Sequence, residues 1–228
     1  DPNNYLPYLK THEVSHLLIS AEEIGKFHAY ATIGSDENWD LYSSIGTYSV
    51  SQSQETRDGY QLAYSGYWAL DKDYTIGNKV LEKGKDTIAG FTLEVTNDGQ
   101  IGNPTAIFYD GTNQMPVPLN CVCTQGQCYE FEPNGFGGCM VLAPQFISQT
   151  EANPIGSAFY ASEKIINTNF VRMYIIGEEN PHFKEVYTDG NTLGTYQGRV
   201  IGPIKIWEVN YPDWVVADAK YLERSIYG

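Results

Sequence analysis

Basic residues are scarce in this chain of 228 residues. Only 14 Lys and Arg stand against 28 Asp and Glu, so the formal net charge at pH 7 is −14. Binding to nucleic acid or to an anionic membrane surface depends on clustered positive charge. The sequence contains neither a basic stripe nor a polybasic patch. We therefore exclude nucleic acid as a partner, and also docking on anionic lipid through a basic patch.

Long apolar runs and the common catalytic motifs are missing as well. No segment approaches the roughly 20 consecutive apolar residues that a transmembrane helix needs. The sequence has no glycine-rich phosphate loop, no GxSxG elbow and no SxxK motif, and His28 and His182 stand alone, so no catalytic residue is assigned. The chain opens with Asp1-Pro2 rather than with Met, which suggests processing or excision from a longer polypeptide.

Aromatic and apolar side chains, in contrast, are abundant. Aromatic residues make up 14% of the sequence, with 18 tyrosines, and apolar residues make up 42%. Such fractions exclude wholesale disorder. A chain of this length buries about 70% of its extended surface on folding, so we expect a substantial core.

The hydrophobic pattern at both ends of the chain predicts an α/β layer. An apolar run at 14–19 predicts a strand, and Ser20 and Glu23 follow it with the spacing of a helix-capping box. Beyond residue 150, apolar residues at spacings of seven, four and three predict a helix that ends near Gly177. The residues of this stripe are Phe159, Ile166, Phe170 and Met173.

Between these ends the hydrophobic period falls to two, which indicates strands. Asp-Gly pairs at 58–59, 98–99 and 110–111 mark the expected turns. Two further strands are expected late in the chain, at 183–188 and 204–209. We expect an α+β protein in which residues 1–42 and 148–228 form an α/β core layer and residues 43–147 form a β-rich insertion.

The segment His12-Glu-Val-Ser-His16 matches HExxH, the zinc-peptidase motif. That motif works on a helix, where both imidazoles share one face and the glutamate polarises the metal-bound water. Here His16 lies within the apolar run that predicts a strand, and an extended backbone would separate the two histidines by roughly 13 Å. We interpret the match as a coincidence at a helix-to-strand junction, and no metal ligand is assigned; a zinc peptidase remains the weakest of the alternatives.

Four cysteines lie between residues 121 and 139. Cys123 and Cys128 flank a four-residue loop that would set them opposite each other on a hairpin, and Cys121 projects to the same face as Cys123 and could pair with Cys139. An all-thiolate zinc site is the other possibility, although structural zinc usually brings two CxxC pairs. We favour two structural disulfides, and with them an oxidising compartment.

Two acidic clusters are weaker candidates. Residues 36–40 include three carboxylates. Asp71, Asp73 and Glu82 have the spacing of positions one, three and twelve of a calcium loop, but Ile76 stands at position six, where the sharp turn needs glycine. We interpret the second cluster as a solvated turn.

Three segments together resemble the C-terminal extracytoplasmic domain of archaeal oligosaccharyltransferase catalytic subunits. Val14–Phe27 is similar to that family's strand followed by an Ile-Gly-Lys helix, and residues 31–40 continue the similarity. Pro181–Tyr187, leading to Gly202–Val209, resembles the strand pair near the end of such domains. The resemblance covers the two ends of the chain.

The resemblance implies the soluble, non-catalytic portion of a membrane enzyme that N-glycosylates Asn-x-Ser/Thr sequons. This portion would support acceptor binding at the extracytoplasmic face of the cell membrane. Its implied partners are its own transmembrane domain, the acceptor polypeptide and, through the membrane half, a lipid-linked oligosaccharide. No cofactor is expected in this chain; the resemblance implies a divalent metal in the full-length enzyme, held by acidic loops of the membrane half.

The family's lysine-containing acceptor motif does not carry over to this chain. Lys164 is the only lysine of the helix expected at 157–176, but Ala161 and Thr168 stand where the motif has other residues. No acceptor-binding residue is therefore assigned. The alternative function is a freestanding extracellular surface module that binds a carbohydrate or a protein, with Tyr67, Trp68 and Tyr74 as stacking faces.

Overall fold

Strands dominate the structure, a computed structural model that describes residues 2–33, 43–131, 135–148 and 150–222. The helices are α1 (Pro2–Thr11), α2 (Glu22–Ile33), a π-helix (Phe170–Ile176) and a 3-10 turn (Ala219–Tyr221). The strands are β1 (His16–Ile19), β2 (Gly46–Thr56), β3 (Gly59–Ala69), β4 (Tyr74–Ile76), β5 (Lys79–Leu81), β6 (Thr87–Thr96), β7 (Thr105–Tyr109), β8 (Gln114–Thr124), β9 (Gln127–Glu130), β10 (Phe136–Phe146), β11 (Ala152–Ala161), β12 (Phe183–Thr188), β13 (Gly194–Tyr196), β14 (Arg199–Ile201) and β15 (Lys205–Val209).

The chain divides into two units. The barrel unit consists of Ala21–Glu178 and Thr192–Gly202. The sheet unit consists of Asp1–Ser20, Glu179–Asn191 and Pro203–Gly228.

Seven strands of the barrel unit close into a ring. They run in the order β10-β11-β2-β3-β6-β7-β8, and β8 pairs with β10 to close it. The neighbours within this ring are antiparallel except at the closing pair, where β8 and β10 run parallel. β9 continues from β8, and β13 and β14 extend the sheet beside β10.

Large aromatic side chains fill the interior of the barrel. Trp68 and Tyr160 meet edge to face at 4.9 Å between ring centroids, and Tyr48 and Phe91 do so at 4.7 Å. The hydroxyls of Tyr48 and Tyr160 donate to backbone carbonyls, of Ile88 at 2.9 Å and of Gly137 at 2.7 Å. Tyrosine therefore serves as a core residue here, because each of these buried hydroxyls has an acceptor.

The sheet unit is a three-stranded antiparallel sheet with the order β1-β15-β12. Its buried side chains include Leu6 of α1, Phe183, Trp207 and Val209. The ring of Tyr5, also on α1, stacks on Phe183 at 5.7 Å between centroids. One face of the sheet is thus covered by apolar contacts with α1.

The predicted fold class is wrong. Strands make up 50% of the chain and helices 13%, and the centre of the fold is a closed seven-stranded barrel rather than an α/β layer formed by the chain ends. Residues 157–161, expected to begin a helix, belong to β11, which pairs with β10 on one side and β2 on the other. Every residue from 156 to 161 is buried, so this strand lacks the alternation that would have identified it.

The end of the predicted late helix survives as the π-helix. It covers Phe170–Ile176 and stops at Gly177, whose φ of 86° is the left-handed conformation that favours glycine. The strands expected at 183–188 and 204–209 correspond to β12 and β15. No helix among the described residues has the length and apolar character needed to cross a bilayer.

Candidate functional site

The HExxH segment lies across the end of α1 and the start of β1. Glu13 has a φ of 54°; its N–H donates to Lys10 O at 3.1 Å, and the N–H of Val14 donates to Leu9 O at 3.0 Å. This pair of bonds is the Schellman arrangement that ends a helix. His16 is then the first residue of β1. The junction predicted from the sequence is therefore present, and His12 and His16 do not share a helix face.

Both histidines are exposed and have local contacts of their own. The ring of His12 packs against Tyr8 at 4.5 Å between centroids. His16 Nδ1 lies 3.0 Å from the hydroxyl of Ser15. Neither contact brings a carboxylate or a second imidazole to the ring.

The four cysteines form two disulfides, the arrangement that we favoured over zinc. Cys123 pairs with Cys128 across the β8–β9 hairpin, with 4.0 Å between Cα atoms. Cys121 pairs with Cys139 across the parallel β8–β10 seam, with 4.5 Å between Cα atoms. The second bond therefore cross-links the two strands that close the barrel. Two disulfides indicate an oxidising environment.

The cysteines are also the only clustered set of three or more potential metal ligands in the part of the chain that the structure describes. The sulfur atoms of Cys121, Cys123 and Cys139 lie within 4.8 Å of one another, and all three residues are buried. Their sulfurs are committed to the two disulfides. A disulfide sulfur is not a thiolate and is a poor zinc ligand.

The calcium-like segment is a β-hairpin in the structure. Ile76, at the position that needs glycine, ends β4, and the hairpin continues into β5. Asp71 accepts hydrogen bonds from Tyr74 Oη at 2.7 Å and from Ser162 Oγ at 3.1 Å, and Asp73 accepts one from the backbone N–H of Lys83 at 2.7 Å. These carboxylates anchor loops. The other acidic cluster, at 36–40, lies outside the described residues.

The three aromatic residues that we considered as stacking faces do not form one surface. Trp68 is 1% exposed, and its indole N–H donates to Ser44 O at 2.8 Å. Tyr74 is half-buried, and burial, followed by its hydrogen bond to Asp71, raises the pKa of its phenol above the usual range. Tyr67 is 64% exposed. Only Tyr67 therefore offers an open ring.

A cleft at one end of the barrel, which we call the end cleft, has a volume of about 560 Å³. Its apolar lining comes from Val95, Ile101 and Ile155, which are half-buried and pack against the barrel core. Its polar lining includes Asp98 and Gln100, from the connection between β6 and β7. The sequence did not predict this cleft because its lining residues come from three separate stretches of the chain, 95–101, 124–129 and Ile155.

The β8–β9 hairpin also lines the end cleft, and we call its lining residues one wall of the cleft and those of the β6–β7 connection the other. Thr124 and Gln125 lie at its tip, and Tyr129 of β9 is 47% exposed. Cys123 and Cys128 are opposite each other in this hairpin, so the disulfide fixes the two strands that carry these side chains.

Strands from the first and the last of the segments that carry the family resemblance meet in the sheet unit, whereas α2, which continues the first segment, belongs to the barrel unit. β1 belongs to the first of these segments, and β12 and β15 belong to the last. β15 lies between β1 and β12, with Leu17 opposite Trp207 and Phe183 opposite Val209. Segments from the two ends of the chain thus share one hydrogen-bonded sheet. Lys164 is exposed, in the turn that follows β11 rather than on a helix.

Searches with protein-family models, against curated proteins and against solved structures each found no match to the chain.

Proposed function

We propose that this chain is the extracytoplasmic, non-catalytic portion of a membrane oligosaccharyltransferase that N-glycosylates Asn-x-Ser/Thr sequons, and that it supports binding of the acceptor polypeptide. The observation that carries the proposal is the meeting of β1, β12 and β15 in one sheet. β1 lies within the first segment in which the resemblance is found, and β12 and β15 overlap the last. A coincidental resemblance in distant stretches has no reason to fall on paired strands.

The disulfides support the extracytoplasmic placement. Cys121–Cys139 and Cys123–Cys128 form where the environment is oxidising, which is the condition outside the cytoplasm. The net charge of −14 agrees with a role that contacts neither nucleic acid nor anionic lipid directly.

Catalysis and metal binding belong to another part of the polypeptide in this proposal. The divalent metal of such an enzyme is held by acidic loops of the membrane half. Among the described residues, the only clustered set of potential ligands is the cysteine group, whose sulfurs are bonded to one another. The proposed partners are accordingly the chain's own transmembrane domain and the acceptor polypeptide, with the lipid-linked oligosaccharide held by the membrane half.

The gene itself provides the first test. The coding sequence upstream of Asp1 is expected to encode many apolar helices that end in a tryptophan-rich acidic motif. A signal peptide alone at that place would contradict the proposal and favour a freestanding extracellular module.

Glycan transfer by the full polypeptide provides the second test. The full-length protein, in membranes with a lipid-linked oligosaccharide, is expected to glycosylate an Asn-x-Thr peptide and to leave an Asn-x-Ala peptide unmodified. Deletion of residues 1–228 is expected to abolish transfer. Transfer that continues at the same rate after the deletion would overturn the proposed role in acceptor binding.

A further inference from the structure

The end cleft combines an apolar floor with hydrogen-bonding walls. Val95, Ile101 and Ile155 supply the floor, and each of them is partly buried and packs against the barrel core. A pyranose ring has an apolar C–H face and hydroxyls around its edge, so it needs both kinds of surface. We propose that the end cleft binds a neutral carbohydrate. This inference does not depend on the proposed function.

The walls of the cleft offer the groups that hydroxyls require. The amides of Gln100 and Gln125 each contain a donor and an acceptor, and the hydroxyl of Thr124 can act as either. Tyr129, 47% exposed on the same wall as Gln125, presents an aromatic ring with a polar tip. Such a set recognises hydroxyls without needing charge on the ligand.

The charge of the cleft disfavours anions. Asp98 is the only ionisable acid that lines it, and no described lining residue is basic. A hydrogen bond from the hydroxyl of Thr96 lowers the pKa of Asp98, so this carboxylate is ionised at neutral pH. Its other oxygen accepts from Gln100 Nε2 at 3.0 Å. An anionic ligand would be repelled by this carboxylate and by the net charge of −14 on the whole chain. No described residue that lines the cleft carries a positive charge to offset this repulsion.

Both walls are held in place before any ligand binds. The Cys123–Cys128 disulfide spans the hairpin, whose two central residues, Gln125 and Gly126, have φ values of 50° and 79°. These positive values are those of the tight turn that suits a two-residue hairpin. On the other wall, Thr96 and Gln100 are joined by two hydrogen bonds of 2.9 Å. Fixed walls reduce the conformational entropy lost on binding.

The size of the cleft suits a small saccharide. A volume of about 560 Å³ lies within the range of roughly 300–1,000 Å³ typical of small-molecule sites. The cleft therefore has room for one or two sugar rings rather than for an extended polysaccharide.

Nuclear magnetic resonance titration of the whole chain tests the inference. The probes are the methyl glycosides of glucose, galactose, mannose and N-acetylglucosamine, with glucuronate as the anionic comparison. We expect at least one neutral glycoside to shift the backbone amide signals of residues 95–101 and 124–129, with a Kd on the order of millimolar. Glucuronate is expected to cause no such shift.

Two tyrosine variants distinguish the cleft from other exposed aromatic surfaces. Tyr129→Ala is expected to weaken binding by about tenfold, since stacking on the ring is lost. Tyr67→Ala removes an exposed tyrosine from β3, outside the cleft, and is expected to change nothing. Both side chains are exposed, so both variants are expected to fold.

Three results would overturn the inference. The first is the absence of shifts with all four neutral glycosides up to about 50 mM, well above a millimolar Kd. The second is binding of glucuronate as tight as that of the neutral probes. The third is an equal loss of binding in Tyr129→Ala and Tyr67→Ala. None of these results bears on glycan transfer, so failure here and failure of the proposed function are distinguishable.

Discussion

The barrel unit and the sheet unit complete their β-sheets in different ways. In the barrel, the parallel pairing of β8 with β10 closes a ring in which each strand has a neighbour on both sides. In the sheet unit, β15 is the one neighbour that β1 and β12 have among the residues that the structure describes. A closed ring satisfies its own backbone hydrogen bonds, whereas edge strands leave some unpaired. The two units therefore differ in how many backbone hydrogen-bonding groups are left unpaired at the edges of their sheets.

The two units also differ in how they bury apolar surface. The barrel encloses its aromatic side chains, and Phe91 and Tyr160 are at most 1% exposed. In the sheet unit, Trp207 is buried on one face, while Leu18 on β1 and Tyr187 on β12, both paired with Ile206, are 66% and 50% exposed. Closure thus gives the barrel an interior, while the open sheet has only one covered face.

Removal of the seam disulfide, Cys121–Cys139, is expected to have the largest effect on the stability of the closed barrel. Cys121→Ala/Cys139→Ala is expected to lower the free energy of unfolding by about 3 kcal/mol, because the disulfide closes a loop of 18 residues across the barrel seam. The measurement is urea unfolding followed by near-ultraviolet circular dichroism. Alanine avoids placing a new hydroxyl in these buried sites.

The hairpin disulfide is the matched control for that loss. Cys123→Ala/Cys128→Ala opens a loop of only 5 residues, and the expected loss is about 2 kcal/mol. If the hairpin pair costs as much as the seam pair or more, then closure of the barrel is not what the seam disulfide protects.

A smaller effect is expected in the sheet unit, at the end of α1. Glu13 has a φ of 54°, a conformation that costs free energy for any residue with a Cβ atom. Glu13→Gly is expected to raise the free energy of unfolding by up to about 1 kcal/mol. Glu13→Ala keeps the Cβ atom and is expected to bring no such gain. A gain of the same size in both variants would mean that the glutamate side chain, and not the backbone, is the source of the cost.

The smallest effect is a dependence on pH at the surface of each unit. In the barrel, the hydrogen bond from Lys79, followed by backbone N–H groups of Asn113 and Thr112, lowers the pKa of Asp110 far below its ordinary value. A carboxyl group whose pKa is lowered by folding stabilises the protein above its unfolded pKa of about 4, and this stabilisation is lost as the pH falls below that value. Asp110→Asn is therefore expected to flatten the decline of stability with falling pH.

Asp218 provides the counterpart in the sheet unit, since Lys220 lowers the pKa of its carboxyl group. Asp218→Asn is expected to flatten the same decline, and less strongly than Asp110→Asn does. The measurement for both is the free energy of unfolding between about pH 5 and pH 2, with the wild-type protein as the reference. Curves for either variant that run parallel to that of the wild type would contradict the prediction.

Short sequence patterns correctly predicted the elements that depend mainly on residues close together in the chain. Three short-range features predicted the end of α1, the strands β12 and β15 and the Cys123–Cys128 hairpin: the apolar run at 14–19, alternation, and the four-residue spacing between two cysteines. Phe159 led to a wrong prediction because its spacing to Met173 fits a helix, although Phe159 lies in β11 and only Met173 lies in the π-helix. Residues 156–161 of β11 are buried on both faces of the strand, so their sequence shows no period of two.

Features that depend on distant partners were beyond reach of the sequence. Closure of the barrel depends on the register that sets Cys121 beside Cys139 and Val122 beside Met140. The end cleft depends on three distant stretches of the chain meeting at one end of the barrel, and no short motif marks the residues that line it. The disulfide-forming cysteines were identifiable because a cluster of cysteines indicates either disulfides or a metal site. Glutamine and tyrosine, in contrast, occur at many positions without a binding role.

The pairing of β1 with β15 has a consequence for the order in which the protein is made. His16 lies opposite Glu208, so β1 needs a partner strand that the ribosome adds about 190 residues later. All strands of the barrel ring are synthesised after β1 and before β15, so they can pair with one another while β1 has no partner strand. During translation, β1 is therefore an apolar segment without a sheet, exposed to chaperones and to neighbouring chains until β15 emerges.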